Sequence, residues 1–567
     1  MGKPEKGRLA LVSMTAKEAL CRALRSQGVK YVFGNPGTTE IPFLDALARF
    51  PDIRFILALH ESVAAAMADG YARASGRPGI ANVHAAPGVA NSLGMLFNAR
   101  RDGVPLVLLA GQQSSRFLMR EPMLSADLVQ MTEQFAKWSY QVHRAEDVPL
   151  AAARALKTAM QPPQGPVFLA LPRDLLEETI EVEEWTLNPS GSACRMRGDP
   201  ADLERAVELL SKARAPVILA GAGVLASGAV EELVALAEAA ALRVYATAGT
   251  LPWDHPLLCG GWRPMRHELT APLQEADLLL VVGAPMFREF PPVSPVPKVP
   301  VIHIDPDAWE VGKNYPAALG IVSDPKAGLE DLRRALEGKT NQAQEAVLGK
   351  RRRAIEASNQ EARAARAREM EARWESVPIS ASRLVGEMGR VLDASALIVD
   401  EATRSGTYLR HFYPFGPSAD YMTCEAGCLG WGLGAALGAK LAQPQRQVVS
   451  FLGDGSTSYS LQGLWTAARY RLDVPFIVCN NGGYLAIKSA ISLYGGDLVE
   501  RGDYALTDLR GMDFVTLAAG MGVEGRRVAQ PQYLRASLEW ALSLGRPSLL
   551  EVMVDPTDAG QAMPRVP

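Results

Sequence analysis

Short apolar runs and amphipathic stretches alternate along most of the chain. Residues 31–33, 55–59, 80–83 and 104–109 are apolar and of strand length. Helical patterns separate them. Residues 15–27 place Ala16, Leu20 and Leu24 on one face, and Gly28 is a natural stop. Further helices are expected at 40–50, at 61–71 and up to about residue 99. The segments 34–38 (GNPGT) and 84–88 (HAAPG) read as loops. The alternation returns near the C-terminus. An apolar run at 448–452 meets a Gly453-Asp454-Gly455 turn. A helical pattern follows with Leu461, Leu464, Trp465 and Ala468 on one face, and the run 476–479 ends at Asn480-Asn481-Gly482-Gly483. A third set lies between, with strands at 216–220, 243–246, 277–282 and 299–304, a helix at 229–241 and a Pro-rich loop at 291–300. Residues 341–376 are charged and carry no Gly or Pro after Gly349, which reads as a solvated linker helix. The expected fold is α/β, three domains with parallel sheets flanked by helices. Their bounds are 10–185, 196–340 and 377–556, with the helical linker at 341–376.

The two ends of the chain echo each other. NVHAAPGVANSLGMLFNARRDGVPLVLLAG and SFLGDGSTSYSLQGLWTAARYRLDVPFIVCN share the layout strand, glycine-bearing loop, helix, charged turn, Val-Pro, strand. Pro105 follows His84 by 21 positions, and Pro475 follows Asp454 by 21. The match suggests two similarly folded outer domains, although unrelated units of equal length would look the same.

Composition removes several function classes. The 567 residues are 48% hydrophobic and 21% charged, with net charge −3, so neither nucleic acid nor an anionic membrane is expected as a partner. Six cysteines are scattered, with only Cys424 and Cys428 close together, and are expected to be reduced thiols of a cytoplasmic protein. The apolar patch at 9–12 is too short for a signal peptide, and no run reaches membrane-spanning length. Residues 221–226 match GxGxxA loosely. No acidic residue closes the next strand, 243–246, so no dinucleotide site is expected.

Candidate chemistry sits after the strands at 448–452 and 476–479, at the edge where open α/β sheets bind ligands. Asp454 offers a carboxylate, Asn481 an amide oxygen and Gly483 a backbone carbonyl. This hard-oxygen set suits Mg²⁺ (or Ca²⁺) together with phosphate oxygens. The glycines would let backbone N–H groups approach a diphosphate. Each loop alone is also an ordinary turn.

FGNPGTTE (33–40), LHESVAAAMADGYAR (59–73), the GDG…NN pair about 25 residues apart and the three-part layout resemble the pyruvate-decarboxylase-like branch of thiamin diphosphate enzymes. Benzoylformate decarboxylases share FGNPG, GQQ, KWSY, GAPMFR and LWTAARY most closely; acetolactate synthases are more distant. The resemblance implies thiamin diphosphate as cofactor and no flavin. Glu61 matches the glutamate that hydrogen-bonds the cofactor's pyrimidine ring and promotes loss of the thiazolium C2 proton, although an acidic residue in a first helical turn is favoured by the dipole anyway. Leu429 matches the aliphatic wedge between the cofactor rings, and Gly427 the carbonyl that holds the amino group. Both also suit a close-packed helix start. Thr403, Gly455, Ser456 and Tyr484 fall near the expected diphosphate, with Asn481 and Gly483. His84 matches an active-site histidine, though a loop histidine is often plain polar surface, and Thr38 stands where the relatives have a serine touching the substrate carboxylate. A homo-oligomer, commonly a dimer of dimers, is implied.

Two departures alter the substrate reading. Phe290 occupies the place of a second catalytic histidine, with His267 and His411 as possible substitutes, and Ala490 replaces an aromatic pocket residue. The expected activity is decarboxylation of a 2-oxo acid, benzoylformate-like, to an aldehyde with acyloin formation on the side. The alternative is a carboligase of acetolactate synthase type. An oxidoreductase lacks a dinucleotide signature, and a non-catalytic binding protein would not need Glu61, Asp454 and Asn481.

Overall fold

The computed structural model describes residues 11–183, 195–262, 276–286, 299–337, 339, 342–416 and 421–557. Twenty strands follow in chain order: β1 Leu11–Thr15, β2 Tyr31–Asn35, β3 Arg54–Leu57, β4 Gly79–His84, β5 Leu106–Gln112, β6 Trp138–Gln141, β7 Val167–Pro172, β8 Thr179–Glu183, β9 Pro216–Ala220, β10 Arg243–Ala246, β11 Leu258–Gly261, β12 Leu278–Val282, β13 Val301–Asp305, β14 Leu319–Val322, β15 Leu397–Glu401, β16 Tyr421–Thr423, β17 Val448–Gly453, β18 Pro475–Asn480, β19 Glu524–Val528 and β20 Ser548–Met553. The N-terminal sheet has the order β3-β2-β4-β5-β7-β6 and the C-terminal sheet β16-β15-β17-β18-β20-β19, all pairs parallel. Numbered within each sheet, both orders read 2-1-3-4-6-5. The echo in the sequence is therefore a repeated topology. The middle sheet, β11-β10-β9-β12-β13-β14, has the doubly wound order 3-2-1-4-5-6. Beside these lies an antiparallel ribbon, β1 with β8, absent from the sequence reading.

The near-continuous apolar runs arise because both sheet faces are covered. Along β5, Leu106, Leu108 and Ala110 face one core, and Val107 and Leu109 the other. The first of these cores is shared. It joins Phe33, Met67 and Leu108 to Trp431, Leu437 and Phe476, so the outer domains pack as one body. Its centre is the contact of helix α1 (Glu61–Ser75) with a second helix, Trp431–Ala442. A Cβ on Gly70 would lie 2.1 Å from the Ala435 carbonyl oxygen, and one on Gly438 only 1.9 Å from that of Met67. The backbones touch because those side chains are missing.

Several boundaries move. No loop separates β4 from its helix α2 (Ala85–Asp102): the chain turns within one residue at Ala85, φ 44°, and Pro87 and Gly88 lie in the first helical turns. The linker helix α3 runs Gln342–Ala372 and buries only Ile355 and Asn359. The Trp431–Ala442 helix is α4. GDG does not form a free turn. Asp454 opens a short helix α5 (Asp454–Ser458) directly after β17, followed by α6 (Gly463–Tyr470). On α6 the buried side is Gly463, Leu464, Thr466 and Ala467, with Trp465 half-buried.

Candidate active site

The two outer sheets present their C-terminal strand ends as two clusters. In the C-terminal domain, the loops after β17 and β18 touch. Asp454 Oδ1 accepts from Gly455 N at 2.8 Å, and Oδ2 accepts from Asn481 N at 3.1 Å and Gly483 N at 3.0 Å. Asn481 Oδ1 accepts from Gly483 N at 3.2 Å. Gly482 (φ +78°) lets the chain fold back, and Gly483 is pressed against Thr507, where a Cβ would lie 2.3 Å from the carbonyl oxygen. The Tyr484 ring covers Gly455. Ser456 Oγ donates to Glu401 O at 2.8 Å and accepts from Gly453 N, which ties this corner to β15. Thr403 is exposed on the same edge. Asp454 is 3% exposed, and no lysine, arginine or histidine among the described residues pairs with it. Burial pushes its carboxyl pKa up against the pull of four backbone N–H groups.

The N-terminal cluster is more connected than the sequence suggests. Glu61, 8% exposed, heads α1 just past β3 and accepts from Asn35 Nδ2 at 3.1 Å and Asn91 Nδ2 at 2.9 Å. His84 closes β4, and its Nδ1 lies 2.9 Å from Glu40 Oε2 and 2.9 Å from Thr39 Oγ1. Thr39 Oγ1, Gly37 N and Gly111 N also donate to Glu40, each at 2.8 Å. A carboxylate only accepts, so Nδ1 carries the hydrogen and Nε2 is left for other partners. A Cβ on Gly37 would lie 2.2 Å from the His84 ring, and one on Gly111 2.1 Å from Glu40 Oε1. These glycines make room for the pair. Thr38 is exposed beside buried Thr39.

A third segment, 423–432, leads into α4. Gly427 has φ +90° with open space around it, and Leu429 is half-buried. Glu401 accepts from Trp431 N at 3.0 Å and Gly432 N at 2.9 Å. Burial raises its pKa to about 7 despite those donors.

Three family models cover the chain in order. The N-terminal TPP binding domain of thiamine pyrophosphate enzymes matches 14–132, the central domain 203–332 and the C-terminal TPP binding domain 401–552. Benzoylformate decarboxylase of Pseudomonas aeruginosa is 34% identical over 550 residues, 95% of this chain and 98% of that protein. The chain belongs to the thiamine pyrophosphate enzyme family. The large subunit of acetolactate synthase isozyme 1 from Escherichia coli is 28% identical, spanning 98% of this chain and 96% of that one. The thiamine diphosphate-dependent 4-hydroxybenzoylformate decarboxylase of Rhodococcus jostii superposes with a TM-score of 0.83 at 30% identity, covering 96% of this chain and all of that one.

The residues fit the family's cofactor. At the GDG–NN corner the buried carboxylate of Asp454 and the amide oxygen of Asn481 both accept from Gly483 N, so two hard oxygens lie together. A divalent ion would relieve the cost of the uncompensated charge. Among the described residues no group of three His, Cys, Asp or Glu side chains is placed to hold a metal. In the middle domain, Gly221 and Gly223 have a local explanation. A Cβ on either would strike the Gly283 carbonyl oxygen, at 2.4 and 2.7 Å. The loose GxGxxA match is thus a packing device. The five described cysteines, Cys21, Cys259, Cys424, Cys428 and Cys479, are free thiols. No helix among the described residues is long and apolar enough to cross a membrane.

Glu40, Thr39, Asn35 and Asn91 escaped the sequence reading, although three of them lie inside the quoted FGNPGTTE. The signal was the acidic end of that motif, three residues after Gly37. Of the substitutes for the second histidine, His411 Nδ1 is bonded to Thr407 O of its own helix at 2.7 Å. His267 and Phe290 lie outside the described residues. Ala490 is exposed on a helix, Leu485–Tyr494, which is α7.

Proposed function

We propose that this protein is a thiamin diphosphate-dependent carboxy-lyase that converts a 2-oxo acid to an aldehyde and also forms acyloins. The observation that carries the reading is the pairing of two clusters at equivalent sheet edges: Glu61 held by two asparagine amides, and Asp454 joined to the Asn481 loop. Asp454, the Asn481 side chain and the Gly483 carbonyl would hold Mg²⁺, and Thr403, Gly455, Ser456 and Tyr484 would border the diphosphate. When bound, the cofactor supplies an electron sink for the pair left as CO₂ departs. Glu61 would hydrogen-bond the pyrimidine ring. Gly427 would offer its carbonyl to the amino group, and Leu429 would hold the two rings apart. Thr38 would bind the substrate carboxylate. His84, with Nδ1 committed to Glu40, would accept or return a proton at Nε2.

The choice between aldehyde and acyloin rests on the acid that protonates the reacting carbon. Phe290, where the resemblance expects a histidine, would offer none, and Ala490 in place of an aromatic residue would leave space for a second carbonyl compound. A panel of 2-oxo acids with aldehyde and acyloin both quantified tests the reading. Weak turnover of benzoylformate and measurable acyloin are expected. A positioned acid is worth about 10²–10⁴ in rate, so Phe290→His should shift product strongly toward aldehyde. Rapid benzoylformate decarboxylation without acyloin would overturn this assignment.

Apolar side chains are left uncovered beside both clusters: Ile41 (53% exposed) and Leu59 (43%) in one domain, Tyr459 (54%) and Ile487 (51%) in the other. A second copy facing the first would cover both sets and bring the N-terminal cluster of one chain to the C-terminal cluster of the other. Sedimentation should give a dimer or a dimer of dimers; a fully active monomer would contradict the arrangement.

A further inference from the structure

The segment that carries Gly427 and Leu429 belongs to the C-terminal domain, yet most of its anchors come from the N-terminal domain of the same chain. Residues Gly94, Asn98 and Asp102 are spaced four apart on α2 and form one face. Asn98, fully buried, grips the backbone of one residue at both its N–H and its carbonyl: its Nδ2 donates to Cys428 O at 2.9 Å and its Oδ1 accepts from Cys428 N at 3.1 Å. One turn on, Asp102 Oδ2 accepts from Glu425 N at 3.0 Å. One turn back, a Cβ on Gly94 would lie 2.6 Å from Cys428 Sγ, so the missing side chain makes room for this cysteine. From α1, Asp69 Oδ1 accepts from Trp431 Nε1 at 2.7 Å and Arg73 Nη1 donates to Thr423 O at 3.2 Å. Arg73 also bridges the two acids, through Nε to Asp69 at 2.6 Å and Nη2 to Asp102 at 2.9 Å, and stacks 5.1 Å over the Trp431 ring. The anchors therefore fall at 423, 425, 428 and 431, on either side of Gly427 and Leu429.

We propose that Asn98 and Asp102, supported by Asp69 and Arg73, are positioning residues that fix the 423–431 segment across the domain boundary. They would thereby set where Gly427 and Leu429 meet the cofactor; the proposal rests on the roles given to those two residues above. None of the four has been given a role at the cofactor or substrate itself. Their placement explains why charged and amide side chains are buried at a joint otherwise made of small apolar residues. Such groups are costly to bury, and the bonds they make across the joint offset that cost in this one arrangement, although Asp69 Oδ2 is left without a hydrogen bond.

The test uses the full chain, with and without thiamin diphosphate and Mg²⁺. Asn98→Ala removes both bonds to Cys428. In the metal- and cofactor-free protein, backbone amides of 423–432 should exchange with deuterium about tenfold faster, as loss of two buried hydrogen bonds predicts. In the loaded protein, C2 hydrogen exchange should slow by about 10²-fold, the usual penalty for a small misplacement. The cofactor dissociation constant should change by less than the C2 exchange rate, because the proposed metal and diphosphate donors at 454–456 and 481–484 lie outside the latched segment. Asp102→Asn keeps the shape and one acceptor oxygen. It should move both exchange rates in the same direction by less, and it decides the question if Asn98→Ala does not fold. Unchanged amide exchange would overturn the latch, as would faster amide exchange with C2 exchange unaltered. Leu429→Ala separates the two readings. If it leaves C2 exchange intact while Asn98→Ala slows it, the latch stands and the role given to Leu429 fails.

Discussion

Glu61→Gln is expected to leave thiamin diphosphate binding largely intact while slowing C2 hydrogen exchange by about 10³-fold, within the range for removal of a proton-transfer group. Glutamine keeps the size of the side chain and one acceptor oxygen. That oxygen can still receive Asn91 or Asn35, each of which now donates to one carboxylate oxygen. The other position becomes an NH₂ facing an amide donor, so one asparagine must turn away. The charge is lost at a buried site where no ordinary solvent contact replaces it. Quenched-flow measurement of C2 exchange reads this directly and does not depend on knowing the substrate. An unchanged rate would make Glu61 a helix-capping residue and remove it from the chemistry.

The second large effect belongs to Asp454. Asp454→Ala should prevent reconstitution with Mg²⁺ and thiamin diphosphate, weakening apparent affinity by at least about 10²-fold, since even loss of a ligand's outer hydrogen-bond partners costs 10- to 100-fold. It also removes the acceptor of Gly455 N and Asn481 N and one of the two acceptors of Gly483 N, so the two loops should loosen together. The apo protein carries a pH signature of the same carboxylate. Its folded pKa is raised above the ordinary 3.8. The folded state then holds more protons than the unfolded one just above that value. Stability should therefore be highest at low pH in this window and fall as pH rises through the raised pKa. Mg²⁺ should flatten that fall in the wild type and not in Asp454→Ala. Thermal melts across pH, with and without the metal, measure both; a metal response that survives the substitution would place the ion elsewhere.

Much of the fold was legible because buried parallel strands leave a plain trace. The run at 448–452 and the loops after it were readable from apolar length and turn residues alone. Edge strands other than β3 were not. β19, EGRRV, carries two arginines and a glutamate and has no apolar pattern to betray it. The loop expected at 84–88 failed for a different reason. Proline and glycine usually break regular structure, but both are tolerated in the first turns of a helix, and Ala85 absorbs the change of direction in a left-handed conformation. The sequence pointed to residues with motif signatures and not to the side chains that hydrogen-bond them. Glu40 and His84 are 44 positions apart, and Asn98 and Cys428 are 330 apart. Strand order brings the first pair together and the packing of two domains the second, and one sequence states neither.

The contact of α1 with α4 also has a mechanical consequence. At Gly70 and Gly438 the two helices meet backbone on backbone, and around that contact the outer domains share one packed core. The joint is stiff, and prying it open would break an entire shared core. Compliance needed to admit substrate and shed product must come from segments with little buried surface. Among the described residues, α7 and the short helix Asp497–Glu500 bury none of their residues, and Gly495 and Gly496, at φ 77° and 82°, join them. Thermal motion during turnover should concentrate there, beside the Asn481 loop, while the frame that carries Glu61 stays rigid.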